Sequence, residues 1–415
     1  MREACVVGAG VIGVTTAWYL LEAGWKVTLL DRVGAAGYGA SFQNGGQLSY
    51  RYVSPLADSG VPLKALRWLM QPDGPLRFKP QADKSQWVWL ARFLARCNRR
   101  ANRKMTDRLA QLGEYSRRCL HDLMARERLA PFGWREAGKL IVHRDRSTFA
   151  RACRAMPELP HRRILTPAQC SELEPAIDRM AAESCGGILD ASEAVADCHA
   201  FCSSMLGRLA SHPHFLGLVG DDVVRIDAAS SERVELRTSE GRRGADAVVI
   251  ANGIDSRKLM QASGLPVTIY PLKGYSLDVP IDRRHLAPRI SITDFERKVV
   301  YARLGDRLRV AAMVDLVGED RDLDPHRLDS LLRIVRTDMP GAGDYDRAQA
   351  WSGLRPATPD GAPLIGPGSL PGLWLNIGHG GLGFTFACGS AALLARKMTT
   401  SHQTSLDPGF TWPSP

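Results

Sequence analysis

No apolar run in this 415-residue chain approaches the roughly eighteen residues that a membrane-crossing helix requires, so no spanning segment is expected. The first strand begins almost at Met1, and no secretory signal is expected ahead of it. None of the nine cysteines forms a CxxC pair. Cys198 and Cys202 stand one helical turn apart, but no histidines or acids complete a metal set around them. The expectation is therefore no metal, and buried reduced thiols in a cytoplasmic protein. Internal repeats and low-complexity segments are also missing. With 45% hydrophobic and 24% charged residues, the composition excludes a collagen, a disordered tail and a small disulfide scaffold. The length suffices for two domains, each with its own core.

Acidic residues fall short of basic ones, 44 against 54, for a net charge of +10. Much of the excess is local: Arg92, Arg96, Arg99, Arg100, Arg103, Lys104 and Arg108 are opposed only by Asp107. Trp68, Leu69, Met70, Phe78, Trp87, Trp89 and Phe93 lie in or just before this stretch. Two readings of residues 62–108 stand: contact with an anionic membrane face, or a helix with one packed and one solvated face.

What the chain does have is a distinctive start. The apolar run Glu3-Ala4-Cys5-Val6-Val7 feeds into Gly8-Ala9-Gly10-Val11-Ile12-Gly13, a helical stretch follows, and a second apolar run ends on Asp31-Arg32. Strand, glycine-rich turn, helix, strand and acid form a dinucleotide-binding pattern. Gly8 permits the tight turn, Gly10 admits a pyrophosphate to the backbone, and Gly13 lets the helix lie close on the sheet. The helix N-terminus offers free N–H groups to phosphate. Asp31, 23 residues after Gly8, stands where a carboxylate accepts from ribose hydroxyls.

Further along, a helical pattern runs through Leu109, Leu112, Leu120 and Leu123, and Gly138 to His143 reads as a strand. Residues 198–209 are helical, Val223–Ile226 and Val234–Leu236 are short strands, and 245–252 is a sheet-core run. Between about 266 and 347, short alternating runs suggest a second, antiparallel-rich sheet. A final helix spans about 384–398. The expected fold is α/β: a Rossmann-type dinucleotide-binding domain (1–50, 190–265 and 348–410) interleaved with a substrate domain on a mostly antiparallel sheet (51–189 and 266–347).

Three more stretches carry chemistry. Gly39-Ala40-Ser41-Phe42-Gln43-Asn44-Gly45-Gly46-Gln47 could let a phosphate and a flat ring lie against backbone. In Ser352-Gly353-Leu354-Arg355-Pro356, a proline and a glycine restrict the backbone about an arginine able to grip a carboxylate bidentately. Gly378-His379-Gly380-Gly381-Leu382-Gly383 opens another helix N-terminus. Taken in order, these motifs with GAGVIG, PLKGYSL (271–277) and VPLKALRW (61–68) resemble the FAD-dependent amino-acid oxidoreductases, above all the bacterial D-amino-acid dehydrogenases. The resemblance extends from residue 4 to about 397.

The resemblance implies non-covalent FAD. Gly8, Gly10, Val11, Ile12, Gly13, Asp31 and Arg32 match the ADP-binding positions, and Val223 the residue whose backbone meets adenine. Ser41, Asn44, Gly46, Gln47 and Leu48 match the flavin-contacting loop, although Phe42-Gln43 is bulkier than the family pattern. Ala251 and Gly253 match a strand end beside the cofactor; Gly353, Gly378, Gly380, Gly381, Leu382, Gly383, Phe384 and Thr385 match the turn over the flavin. Arg355 matches the substrate-carboxylate arginine. Tyr275, Tyr50 and Tyr52 are further candidates for the substrate pocket, and His379 for a catalytic role. The implied reaction is oxidative deamination of a free D-amino acid or cyclic imino acid, by hydride transfer from Cα to flavin N5 and electron delivery to quinone or another respiratory acceptor. No nucleic-acid partner is expected; a location on the inner face of the cell membrane, a soluble oxidase using oxygen and a flavin-dependent tRNA-modifying enzyme remain open.

Overall fold

A computed structural model describes residues 1–71, 74–156, 159–228 and 233–399. Residues 400–410, assigned above to the FAD-binding half, lie outside them. The amino-terminal run Glu3–Val7 is the inner strand of a six-stranded sheet. It pairs in parallel with Lys26–Asp31 on one side and Ala247–Ile250 on the other. Phe215–Gly220 extends the first edge, and Leu373–Ile377 with antiparallel Leu364–Pro367 the second. Being covered on both faces, the inner strands read as continuous apolar runs.

Helix Val11–Glu22 is buried almost all round, between this sheet and helices Cys198–Ala210 and Gly383–Thr399. Helix Arg99–Arg126 packs on Gly383–Thr399, so this piece of the expected substrate half belongs to the core of the nucleotide-side layer. A three-stranded meander, Val223–Ala228, Val234–Thr238 and Gly241–Ala245, flanks the sheet.

The second sheet has nine strands. Its order is Gln349–Ala357, Tyr270–Pro280, Arg307–Leu316, Val299–Leu304, Ser291–Asp294, Lys139–His143, Gly186–Asp190 and Arg162–Leu165, with Leu76–Phe78 paired to Arg307–Leu316. Strand Gln349–Ala357 had been expected in the FAD-binding half. Nine of its residues instead pair with Tyr270–Pro280, and the chain crosses to the other sheet only after Ala357. One face carries Tyr275, Leu277 and Val279 into a core with Leu331 and Val335 of helix Pro325–Asp338. The opposite face, bearing Gly274 and Ser276, lines a cavity against the nucleotide-side layer.

Candidate active site

Gly8 adopts φ 104°, and a Cβ there would meet the Asn252 backbone, so only glycine fits where the first strand turns. A Cβ on Gly13 would strike the Gly8 carbonyl, which is how the helix comes so close to the strand. Gly10, at the helix N-cap, has no side chain to supply a cap. Ser41 Oγ accepts from Val11 N–H at 3.1 Å instead, docking the 39–48 loop on the helix end. Asp31 accepts from the N–H groups of Ala9 (2.8 Å) and Val33 (2.9 Å), and Arg32 pairs with Asp255 at 2.9 Å.

A cavity of about 160 Å³ opens over this turn. Its walls bring together Gly8, Gly10, Val11, Ile12, Asp31, Arg32, Ser41, Val223, Ala251 and Gly253 from segments far apart in sequence. A second cavity of about 360 Å³ lies beyond, on the nine-stranded sheet. The two share Ala40, Asn44, Gly378, His379 and Gly380 as lining and thus form one long cleft. Gly383 and Phe384 border the smaller part; Gln47, Gly353, Gly381 and Leu382 border the larger.

The cleft fits FAD on three observations. A glycine-lined turn with Asp31 on its wall sits at one end. Buried polar atoms of residues on its walls lack hydrogen-bond partners among the described residues: Asn252 Oδ1, Asn376 Oδ1, Thr358 Oγ1 and His379 Nε2. Left unpaired, such atoms are costly, and a cofactor rich in donors and acceptors relieves that cost. Finally, the larger part offers room for a ring beside the 378–383 turn.

Four expected cofactor residues line neither cavity. Gly13 acts through packing. Gly46, with φ 70°, donates to Asn44 Oδ1 at 3.0 Å and shapes the loop. Leu48 is a core residue, and Thr385 Oγ1 accepts from Ser49 N–H at 3.3 Å. Phe42 and Gln43, the departure from the family pattern, both have local roles. Phe42 stacks on Tyr38 at 5.5 Å, and Gln43 accepts from Ser276 Oγ at 3.2 Å.

Arg355 lies in the floor of the larger cavity with its guanidinium directly over Gly274, where any Cβ would collide with it. Its Nη1 donates to the Met313 carbonyl at 2.8 Å, and it forms no ion pair among the described residues. Desolvation holds its pKa below the usual arginine value. A carboxylate arriving there would find a fork of donors without a counter-charge.

Tyr50 does not line this pocket. Tyr275 borders it, but its hydroxyl donates to Asp315 Oδ2 at 3.3 Å and its ring packs in the core on the helix face of the sheet. Tyr50 is 2% exposed and packs in the nucleotide-side core against helix Arg99–Arg126. Tyr52 does line the cavity, with Lys139 Nζ 4.6 Å from its ring. His379 is 5% exposed, and desolvation pushes its pKa down to about 3. It is a neutral imidazole at the junction of the two cavities, unsuited to acid–base work near neutral pH.

Several residues were missed from sequence. Arg309, 1% exposed, donates to Asp278 at 2.5 and 3.0 Å and also to the Asn44 carbonyl, anchoring the 39–48 loop on the sheet. Arg307 joins Asp278 to Asp197. Lys139 donates to Ser49 Oγ (2.7 Å) and Gln47 Oε1 (3.0 Å), and desolvation pulls its pKa down to about 8. Only the glycine in PLKGYSL signalled the seat of Arg355.

Comparison with known proteins agrees with this geometry. A family model described as "FAD dependent oxidoreductase" (DAO) matches residues 3–397. D-amino acid dehydrogenase 2 of Pseudomonas aeruginosa is 47% identical over 96% of this chain and 95% of its own length. D-amino acid dehydrogenase of Paramagnetospirillum magneticum is 42% identical over 94% and 93%. In structure, glycine oxidase from Geobacillus kaustophilus aligns with a TM-score of 0.71 at 22% identity, covering 99% of this chain and 98% of that one. L-proline dehydrogenase from P. horikoshii aligns at 0.69 and 17% identity over 97% and 94%, and both share the fold. The chain belongs to the DAO family of FAD-dependent oxidoreductases.

Proposed function

We propose that this chain oxidises a free D-amino acid at Cα, giving an imine that hydrolyses to a 2-oxo acid, and that it passes the electrons to a membrane quinone. The observation that carries the reading is Arg355: a desolvated arginine over Gly274, without an acidic partner, beside the glycine turn of an FAD cleft. The names and near-complete coverage of the relatives support the substrate class.

Bound FAD would supply the acceptor for the hydride that leaves Cα. Arg355 holds the substrate carboxylate and so fixes which bond at Cα faces the ring edge. Lys139, Lys298 and Arg355 line the same cavity, and their field disfavours the substrate's ammonium form. The amine thus enters the reaction neutral, able to push out hydride. No separate base is needed, which agrees with a neutral His379 and with the lack of any Asp or Glu among the described lining residues. The N-terminus of helix Gly383–Thr399 supplies a positive field over the adjoining turn.

A membrane acceptor is supported by the surface of residues 62–108. Leu63, Met70, Trp87 and Leu94 are exposed large apolar side chains near exposed Arg96, Arg99, Arg100, Arg103 and Lys104. Trp89 and Phe93, by contrast, turn inward onto Tyr270. Among the described residues no helix is long and apolar enough to cross a membrane. Dye-linked turnover of the yellow protein on a panel of D- and L-amino acids tests the proposal. Reduction by D-amino acids with a quinone analogue faster than with oxygen is expected; turnover with none of them removes it.

A further inference from the structure

We propose that the larger cavity selects an amino acid with an acidic side chain, Lys298 binding the second carboxylate while Arg355 binds the first. The inference rests on the role of Arg355 given above. Every charged side chain among the described lining residues is cationic: Arg355, Lys139 and Lys298. An amino acid with a neutral side chain brings a single carboxylate to these three charges.

Lys298 is the cation left over. Lys139 already spends donors on Gln47 and Ser49. Lys298 has no ion pair or hydrogen bond among the described residues, only a contact of its Nζ with the Phe295 ring at 3.8 Å. Asp294, Glu296 and Asp58, which feel its charge, accept hydrogen bonds elsewhere: Asp294 from Arg144 at 2.7 Å, Glu296 from Thr148 at 2.5 Å and Asp58 from the Ser59 N–H at 2.7 Å. Desolvation and the neighbouring Lys64 bring the Lys298 pKa down to about 8, as suits an ammonium short of counter-charge.

Sheet order sets the spacing. Ser276 and Val300 both lie opposite Ala311, and their strands run in the same direction. Lys298 lies in the turn just before strand Val299–Leu304, and strand Tyr270–Pro280 carries the glycine under the Arg355 guanidinium. These two strands stand two strand spacings apart, about 10 Å. Cations reaching one cavity from strands so spaced can each meet one end of a diacid with two or three carbons between its carboxylates. A lysine- or arginine-like side chain would instead place a cation against Lys298.

Two measurements on the FAD-loaded protein test this. In dye-linked turnover, kcat/KM for D-glutamate should exceed that for D-glutamine, its uncharged isostere, by tenfold or more. Lys298→Asn, a neutral residue that tolerates the φ of 57° found there, should collapse that ratio towards one, and Lys298→Arg should restore it. Independently of turnover, glutarate should perturb the flavin absorbance at a Kd at least tenfold below that of butyrate, and Lys298→Asn should abolish the difference. Equal ratios for the two substrates, or glutarate and butyrate binding alike, overturn the proposal. Lys298-dependent glutarate binding without turnover of any D-amino acid would uphold the diacid site while removing the deamination reading.

Discussion

At the scale of single residues, the site is defined by what two side chains lack. Arg355 forms no ion pair among the described residues, and its guanidinium rests where Gly274 has no Cβ. Arg355→Ala removes a charged hydrogen-bond fork worth about 3 kcal/mol, so KM should rise about a hundredfold while the protein stays yellow. Gly274→Ala forces the guanidinium aside and should raise KM by about tenfold, short of full deletion, again with FAD retained. Loss of the yellow colour in either variant would mean that they disturb the cofactor cleft instead. His379 lacks a charge. Its folded pKa of about 3 lies below the unfolded value near 6.5. The unfolded chain therefore binds the extra proton between these values, and the stability gained by keeping the ring neutral is full above 6.5 and is lost as pH falls towards 3. Urea titrations should show wild type losing about 1 kcal/mol per pH unit against His379→Asn below pH 6. Parallel curves would place a titrating imidazole in the folded protein.

At the scale of elements, local patterns were legible and pairings between distant segments were not. The turn of residues 8–13 could be read because strand, helix and acid all lie within its own thirty residues. The final helix and strand Lys139–His143 declared themselves by periodicity. Strand Gln349–Ala357 was misassigned because its sheet is chosen by pairing with Tyr270–Pro280, which no local signal encodes. Tyr275 borders the cavity, but no local signal shows that its hydroxyl is taken by Asp315, 40 residues away. Arg309 gave no signal at all, since its partners Asp278 and Asn44 lie 31 and 265 residues away. That cluster joins two elements: it fastens the 39–48 loop to the nine-stranded sheet. Arg309→Met would leave Asp278 buried with only the half-exposed Arg307, costing about 3–5 kcal/mol. Weaker FAD retention on gel filtration should accompany the loss of stability. The double variant Arg309→Met/Asp278→Leu should recover much of the stability but little FAD affinity, because the Asn44 carbonyl stays unanchored. Full recovery of both would show that the loop needs no such anchor.

For the whole molecule, the question is where the net charge of +10 is spent. Many of its cations are paired within the fold, Arg144 with Asp294 and Asp338, Arg257 with Asp83 and Glu319. The exposed run through Arg96, Arg99, Arg100, Arg103 and Lys104 forms no ion pair among the described residues, and it neighbours Trp87 and Leu94, each 48% exposed. A solvated helix face needs no such apolar company, whereas a membrane interface uses both. Each basic residue near an anionic surface contributes about 1 kcal/mol, so reversing four arginines or lysines to glutamate removes at least about 4 kcal/mol, close to a thousandfold in partitioning. The protein should therefore sediment with phosphatidylserine vesicles at low salt and be released as ionic strength rises and screening shortens. The Arg96/Arg99/Arg100/Arg103→Glu variant should remain in the supernatant while keeping dye-linked turnover, since none of the four lines the cleft. Trp87→Ala should weaken binding at any salt concentration, because burial of an aromatic ring is not screened. Should the wild type stay in solution even at low salt, the basic face is merely solvated, and the electrons leave through a soluble acceptor.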